Sequence, residues 1–197
     1  MLIIEGLELE IRNYSEHMSD DELFEFCADN PQLRIERDSH KNIIIMSPAH
    51  GESGYFEKEF IVDIGIWTRS HSGVSFSSNT GFLLPNRAMR APDASWISPE
   101  RWKTLSSAEK SKFLAVVPDF VVEVRSPSDN IHALGEKMLE WIENGVRLAW
   151  LIDPQNKRAF IYREDGSVDT VEGFDQKLSG ETVLPDFVFD LSQLRLP

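Results

Sequence analysis

The sequence has a single cysteine, no hydrophobic run of membrane-spanning length and fewer basic than acidic residues. Because Cys27 has no second cysteine to pair with, it cannot form an intramolecular disulfide, which fits a reducing compartment. No window approaches the roughly 18 consecutive apolar residues of a transmembrane helix. Residues 1–5 also lack the basic start and the cleavage-site pattern of a signal peptide. We therefore expect a cytoplasmic protein without a membrane segment.

The charge balance limits the partners of the chain. It carries 20 Lys and Arg against 33 Asp and Glu, a formal net charge of −13. This balance argues against tight nonspecific binding to DNA, because phosphate affinity comes mainly from Lys and Arg. A function on nucleic acid would need a local basic patch. The candidates lie around Asp93 in the sequence or follow it, and the alternative is that they are solvated surface charges: Arg87, Arg90, Arg101, Lys103, Lys110 and Lys112.

Several common site motifs are also missing. The five His residues show no metal-ligand spacing. The chain has no P-loop, dinucleotide-binding fingerprint, nucleophile elbow or zinc motif. The familiar signatures of nucleotide binding, serine hydrolysis and zinc binding are therefore excluded.

Local patterns predict an α/β fold in one domain spanning residues 1–197, a length that allows a proper core. Ser19 and Glu22 have the spacing of a capping box, which predicts a helix over about 20–28. Residues 33–37 and 42–46 read as a β-hairpin. A longer helix is predicted over 52–69, because its apolar residues recur every three or four positions: Phe56, Phe60, Ile64 and Trp67.

The central part of the chain predicts a β-α-β unit. A strand containing Glu123 precedes a helix over about 130–144, which Gly145 is placed to end. A buried strand over 147–152 follows, and residues 159–163 return antiparallel to it. A strand, a crossover helix and a second strand imply a right-handed parallel pair. We therefore expect a mixed central β-sheet flanked by helices, with an N-terminal helix and a β-hairpin.

Two strand-like segments, 91–97 and 118–126, each carry carboxylates, at a cost in free energy unless a cation or hydrogen bonds compensate them. In the second segment Val122 and Val124 face one side, whereas Asp119, Glu123 and Arg125 face the other. Two carboxylates on adjacent strands could hold a divalent ion, and a cation could meet a phosphate or the attacking water. The structural alternatives are a turn for Asp93 and a salt bridge from Glu123 to Arg125 or Lys137.

The chain resembles a nuclease family at several of these positions. Pro92-Asp93 and Glu123-Val124-Arg125 are similar to the PD-(D/E)XK signature. The more specific matches are to the Uma-type restriction endonucleases that are common in cyanobacteria, and they run from about Leu33 to the C-terminus: 47–48, 51–54, 84–85, 122–129, 137–138, 143–147 and 150–154. The resemblance implies a restriction-endonuclease-like core and a Mg²⁺- or Mn²⁺-dependent DNA endonuclease.

The resemblance also implies roles for particular residues. Asp93 and Glu123 would bind the metal, with Glu52 of the first long helix as a further ligand. Arg125 occupies the position of the motif lysine, but it is a permanent cation and a poor proton acceptor, so it would contact phosphate. Lys137, at the edge of the apolar stripe of the following helix, would then orient the water. Two weaker candidates for the site are Glu36 and Asp119.

Two other functions fit parts of the sequence. A catalytically inactive nuclease-fold module that binds DNA or protein would agree with the net charge and the missing motif lysine. A carboxylate-pair glycosidase is disfavoured, because the Trp residues fall on predicted core faces rather than in a sugar-binding cleft. The nuclease resemblance suggests a homodimer, for which the apolar C-terminal segments at 160–162, 183–184 and 187–189 supply a candidate surface.

Overall fold

The computed structural model describes residues 8–11, as backbone only, and residues 18–196. Its largest sheet has six strands in the order β11-β10-β9-β8-β7-β4. Strands β8 (Phe120–Val124) and β9 (Leu148–Asp153) are parallel, and every other neighbouring pair of this sheet is antiparallel. The remaining strands of this sheet are β4 (Val74–Ser77), β7 (Ala94–Ile97), β10 (Arg158–Arg163) and β11 (Val168–Glu172). The mixed central sheet predicted from the sequence is confirmed.

The parallel pair is connected by α4 (Ile131–Glu143). Asn130 caps the helix by accepting a hydrogen bond from the backbone N–H of His132, and Gly145 follows its end with a φ of +104°. A positive φ at this place favours glycine, because other residues would strain the backbone. The predicted β-α-β unit is therefore present, with helix bounds within one residue of those expected.

Each face of the central sheet is covered by a different helix. On one face α2 (Gly51–Ser70) packs its apolar stripe against alternate residues of β8 and β9, among them Phe120, Val122 and Trp150. On the other face Met138 and Trp141 of α4 pack against Val121 and Leu151. The side chains of β8 alternate as its sequence pattern predicts, so that Glu123 is directed to the α4 face.

A second sheet, all antiparallel, has the order β1-β3-β2-β6-β5. Its strands are β1 (Glu8–Ile11), β2 (Arg34–Arg37), β3 (Ile43–Met46), β5 (Phe82–Leu83) and β6 (Met89–Arg90). Helix α1 (Asp20–Asp29) packs on this sheet, and both hydrogen bonds of its Ser19–Glu22 capping box are formed. The predicted N-terminal helix and β-hairpin are thus observed, and the sheet brings Arg34 and Glu36 to the central sheet.

The C-terminal segment completes the core rather than offering a free apolar surface. It forms β12 (Lys177–Ser179) and β13 (Val188–Asp190) and packs against α2 and the central sheet. Leu184, Phe187 and Phe189 are buried there, and Ile161 of β10 belongs to the same cluster. The dimer surface predicted from these segments is therefore wrong, because the segments pack against α2 and the central sheet of the same chain instead of facing solvent. Val188 alone among them is strongly exposed.

The other described elements are short. Helix α3 (Pro99–Thr104) follows β7 and is capped by Ser98, and 3₁₀ turns lie at Glu109–Ser111 and Leu191–Leu194. None of the described helices combines the length and the hydrophobicity that a membrane span requires.

Candidate active site

Asp93 and Glu123 lie side by side at the edge where β7 begins and β8 ends. The antiparallel register pairs Ala94 with Val122. Asp93 is one residue before Ala94 and Glu123 is one residue after Val122, so these two residues lie opposite each other. Oδ2 of Asp93 accepts a hydrogen bond of 2.7 Å from the backbone N–H of Val124. Both carboxylates are almost fully buried. The structure therefore brings the two principal candidates together on neighbouring strands.

Glu123 is held by two side chains of α4. Its Oε1 accepts a hydrogen bond of 2.9 Å from Nε1 of Trp141 and lies 2.9 Å from Nζ of Lys137. These contacts are possible because Lys137 and Trp141 are four residues apart and so share one face of the helix. Of the salt bridges considered for Glu123, the one to Lys137 forms.

Lys137 connects Glu123 to the second sheet. Its Nζ is also 3.0 Å from Oε1 of Glu36, which lies on β2. Glu36 is buried and accepts two more bonds, from the backbone N–H of Ala91 at 3.0 Å and from Nη1 of Arg90 at 3.1 Å. The lysine thus lies between two carboxylates that come from different sheets, where its ammonium has little freedom to move.

Glu140, a further acid on α4, holds Arg90 in place beside Glu36. Glu140 accepts a hydrogen bond of 2.7 Å from Nε of Arg90 and one of 2.8 Å from Nδ2 of Asn86. Arg90 is therefore fixed between Glu140 and Glu36. Glu140 follows Lys137 by three residues, so both project from the same side of the helix.

On the other side of Asp93 stands an arginine from β2. Nη2 of Arg34 is 2.9 Å from Oδ1 of Asp93, and its Nη1 is 4.0 Å from Oε1 of Glu57 on α2. Nε of Arg34 is buried without a hydrogen-bond partner among the described residues. Arg34 therefore lies between Asp93 of the strand edge and Glu57 of α2, and its Nε–H has no acceptor among the described residues.

The carboxylates outnumber the cations in this cluster, and the pKa values reflect the imbalance. Burial, together with the charges of Asp93 and Glu36, raises the pKa of Glu123 to about 7, although Lys137 opposes the rise. Burial and Asp93 likewise raise the pKa of Glu57 to about 7, against the effect of Arg34. Near neutral pH the protonated and ionised forms of these two carboxyls are therefore close in free energy.

Glu36 and Lys137 both stay ionised near neutral pH. Burial acts to raise the pKa of Glu36, but Lys137, Arg90 and the amide of Ala91 outweigh it and lower the value to about 2. For Lys137, burial opposes the charged form, yet the two flanking carboxylates raise its pKa above the ordinary value. Glu36 and Lys137 thus form a permanently charged pair in the middle of the cluster.

The donor chemistry fits a hard divalent cation bound by few protein ligands. Within residues 18–196 no three His, Cys, Asp or Glu side chains converge closely enough to enclose a metal ion. Mg²⁺ is typically held by one or two carboxylates, with waters and substrate phosphates completing its shell. Asp93 and Glu123 supply two such carboxylates, and Glu57 stands on the far side of Arg34. The surplus of carboxylates over cations is the imbalance that a divalent ion would neutralise.

Arg125 and Glu52 lie apart from this cluster. Nη1 of Arg125 is 3.0 Å from Oδ2 of Asp153, at the end of β9, and its Nε donates to the carbonyl of Asp129. Glu52 is exposed on the first turn of α2. Both line a separate pocket on the α2 side of the sheet. The acid of α2 that interacts with Asp93 is Glu57, five residues beyond the predicted Glu52.

Asp119 has a structural role at the opposite end of β8. It accepts a hydrogen bond of 2.7 Å from the backbone N–H of Ser98 and is 3.3 Å from Nε of Arg101. Three members of the basic patch predicted around Asp93 are engaged in ion pairs of their own. Arg90 is part of the cluster, Arg101 binds Asp119 and backbone carbonyls, and Lys112 pairs with Asp21.

Sequence reasoning missed Glu57, Arg34 and Glu140. A signal for Glu57 was present, since it precedes Ile64 by seven residues and so lies on the apolar stripe of α2. Glu140 could have been found from its spacing to Lys137. Arg34 had no comparable signal, because its contact with Asp93 spans 59 residues of sequence.

The fold is a mixed α/β fold, with a central mixed sheet between helices, and it is similar to that of a solved structure. A crystal structure titled as a "putative nuclease belonging to DUF820" from Anabaena variabilis ATCC 29413 is similar to it, with a TM-score of 0.67. The match covers 81% of this chain and 88% of that chain at 19% sequence identity. At this identity the likeness shows the fold alone.

The chain belongs to the Uma2 family, whose model, described as "putative restriction endonuclease", matches residues 20–192. The resemblance found in the sequence is thereby confirmed. Restriction-endonuclease-like proteins generally use divalent metal ions. No curated protein matches the chain.

Proposed function

We propose that the protein is a Mg²⁺- or Mn²⁺-dependent DNA endonuclease that hydrolyses phosphodiester bonds. The observation that carries the proposal is the position of Lys137, 2.9 Å from Glu123, beside Asp93 on the adjoining strand. Two carboxylates and an ammonium are thereby present at one edge of a nuclease-like sheet. Membership of the Uma2 family supports the same chemistry.

Asp93 and Glu123 would hold the ion, with Glu57, whose charge interacts with that of Asp93, as a further candidate ligand. When bound, a divalent cation stabilises charge on a phosphate and makes a coordinated water more acidic. Since Glu123 and Glu57 have pKa values of about 7, metal binding would compete with protons at these two carboxyls.

Lys137 would act as a donor rather than as a proton acceptor. Its raised pKa keeps the ammonium charged, and a charged ammonium has three N–H donors and no lone pair. Two of its N–H groups point to the carboxylates of Glu36 and Glu123. A third N–H can point a water, or the hydroxide formed from it, toward phosphorus. In this role Glu36 positions the lysine and does not touch the substrate.

The proposal is tested by nicking of supercoiled plasmid DNA with Mg²⁺ or Mn²⁺. We expect activity in the parent and its loss in Asp93→Asn, Glu123→Gln and Lys137→Met. Glu136→Gln, which changes an exposed acid one residue before Lys137, is the matched control and retains activity. Nicking that persists in all three variants would assign the activity to another site or to a contaminant.

The second candidate function is a nuclease-fold module that binds DNA or protein without cleaving it. The observation in its favour is that the residue at the motif-lysine position, Arg125, is committed to Asp153. This module would bind without nicking, and it would show no gain in stability when Mn²⁺ is added. The same plasmid assay therefore separates the two functions.

We propose a homodimer for the active form, because cutting both strands of a duplex takes two sites related by a two-fold axis. The surface involved is not the C-terminal apolar segment, which is buried within the chain. Light scattering tests this proposal, and a concentration-independent monomer mass would exclude it.

A further inference from the structure

The cations of the candidate active site differ in how firmly they are held. Nζ of Lys137 lies 2.9 Å from Oε1 of Glu123 and 3.0 Å from Oε1 of Glu36. Arg90 is fixed in the same way, by contacts of 3.1 Å with Glu36 and 2.7 Å with Glu140. Each of these two cations therefore has a close carboxylate on either side.

Arg34 is held less firmly. Its Nη2 is 2.9 Å from Oδ1 of Asp93, but its Nη1 is 4.0 Å from Oε1 of Glu57, which is beyond hydrogen-bond distance. The side chain is 23% exposed, against 15% for Lys137 and 11% for Arg90. A guanidinium has five N–H donors, and within the described part of the chain that of Arg34 forms one hydrogen bond. Most of its donors are therefore available to a further acceptor.

Arg34 contacts the carboxylate that is the principal candidate ligand for a metal ion. Both oxygens of Asp93 are engaged, Oδ2 by the backbone amide of Val124 and Oδ1 by Arg34. The charge of Arg34 also acts on Glu57 and Glu123, so one guanidinium serves three acids. A divalent ion at Asp93 and Glu123 would therefore compete with Arg34 for Oδ1, because two cations at one carboxylate repel each other.

A phosphate at this cluster of acids needs a cation that can turn toward it. Arg125 lies apart from the cluster and is paired with Asp153. If Lys137 or Arg90 turned away, each would leave buried carboxylates with one cation fewer, which is costly. Arg34 has donors to spare, and the planar fork of a guanidinium matches two phosphate oxygens. A phosphate that shares an ion with Asp93 would lie next to that fork.

We propose that Arg34 is the residue that binds the scissile phosphate, and that it does so once a divalent ion has displaced it from Asp93. This inference rests on the proposed nuclease function and adds a catalytic residue to it. In the metal-free protein Arg34 stays on Asp93, and the surplus of carboxylates repels a phosphate. After displacement, the guanidinium turns to the phosphate and stabilises the charge that develops on its oxygens. Metal and DNA therefore bind cooperatively.

The test measures the affinity of Arg34→Gln for a labelled duplex by fluorescence anisotropy, once in Ca²⁺ and once with a chelator. Ca²⁺, like Mg²⁺, is a hard cation that binds oxygen ligands. In Ca²⁺ the variant should bind about 10- to 100-fold more weakly than the parent, as expected for the loss of one hydrogen bond to a charged group. The slope of log K against log salt should be shallower by about 0.9. With chelator the substitution should change little, because the guanidinium of the parent then remains on Asp93.

The affinity for Mn²⁺ without DNA separates this role from a structural one. Because Arg34 competes with the ion at Asp93, Arg34→Gln should bind Mn²⁺ at least as tightly as the parent in thermal melts at pH 8. If Arg34 only held Asp93 in place, the variant would bind Mn²⁺ more weakly. Loss of both metal and DNA affinity would therefore overturn the proposal. An unchanged DNA affinity, or an equal loss in Ca²⁺ and in chelator, would overturn it too.

Arg34→Lys keeps the test decisive if the glutamine variant does not fold. Lysine keeps the charge beside Asp93 but lacks the planar fork, so Mn²⁺ affinity should be retained while DNA affinity in Ca²⁺ falls about tenfold. Full DNA affinity in Arg34→Lys would overturn the proposal. The control is Arg69→Gln, which removes an exposed cation about 18 Å along α2 from Glu57 and should match the parent throughout.

Failure of the nuclease function is seen separately. A parent that binds DNA in Ca²⁺ but does not nick plasmid in Mg²⁺ or Mn²⁺ would contradict the nuclease function. An affinity for DNA that depends on Arg34 would in that case still support the phosphate contact. A parent that binds no DNA would overturn both.

Discussion

The carboxylate of Asp93 accepts a hydrogen bond of 2.7 Å from the backbone amide of Val124, so the start of β7 is tied to the end of β8 beside Glu123. The second oxygen of Asp93 is paired with Arg34. One side chain thereby connects strands β7 and β8 of the central sheet to β2 of the second sheet. Its position depends on the fold of both sheets.

Asp93→Ala should lower the free energy of unfolding by about 1–3 kcal/mol, because the amide of Val124 and the guanidinium of Arg34 lose a buried partner. Asp93→Asn keeps an oxygen acceptor and should cost less. Urea denaturation of both variants measures the difference. If the alanine and asparagine variants are equally stable, the hydrogen bond to Val124 contributes nothing measurable.

Without metal, the free energy of unfolding should fall as the pH rises from about 4.5 to about 7. The folded-state pKa of Glu123 is about 7, above its unfolded value of 4.5, so the folded protein holds a proton that the unfolded chain has released. At about 1.4 kcal/mol per unit, the shift corresponds to roughly 3 kcal/mol. Glu57 acts in the same direction.

Denaturation at several pH values with a metal chelator checks this dependence. Glu123→Gln removes the titrating group, so its stability should change less with pH than that of the parent over this window. Glu136→Gln should follow the parent. Identical pH dependence in the parent and in Glu123→Gln would show that Glu123 does not carry a raised pKa.

Mn²⁺ should stabilise the folded protein, by about 2.7 kcal/mol at a concentration 100 times its Kd. Glu123→Gln should abolish most of this gain, since the amide is a neutral and weaker ligand. The gain should be larger at pH 8 than at pH 6, because protons compete for Glu123 and Glu57. Thermal melting with Mn²⁺ and with chelator measures the shift, and no shift in the parent favours the binding-module function.

Lys137→Met and Lys137→Arg should separate stability from catalysis. The methionine variant leaves Glu123 and Glu36 without their shared cation, and loss of one partner of a buried ion pair costs up to about 3–5 kcal/mol. Arg90 still pairs with Glu36, which reduces this cost. Arginine keeps the charge but differs in shape, so it should retain most of the stability.

In the nicking assay both substitutions should lose activity, by about 100-fold or more, as expected for removal of one well-placed donor. Full activity in Lys137→Arg would mean that only the charge at this position matters. Full activity in Lys137→Met would remove the lysine from the mechanism.

Arg125→Gln should destabilise the protein through the loss of its pair with Asp153. A double-mutant cycle with Asp153→Asn measures that coupling, which should be about 1 kcal/mol or more for a pair this buried. If Arg125 also contacts phosphate, as the family resemblance implies, DNA affinity should fall in Arg125→Gln but not in Asp153→Asn. Equal losses in both variants would assign Arg125 a purely structural role.

The sequence predicted most of the local structure correctly, because its signals act over a few residues. The capping box at Ser19, the apolar stripe of α2 and the glycine after α4 each depend on neighbours within one or two helical turns. Alternation along β8 likewise placed Glu123 on the face opposite Val122 and Val124. The family motifs then singled out Asp93 and Lys137.

The sequence by itself therefore determined the elements, the family and the central acid pair. The tertiary structure decided which charges meet. Lys137 reaches Glu36 across 101 residues, and Arg34 reaches Asp93 across 59. No local pattern encodes contacts between two sheets, because they depend on how β2 docks against the central sheet. The position of α2 beside Arg34 likewise selects Glu57 over Glu52, and packing against α2 and the central sheet buries the C-terminal segment.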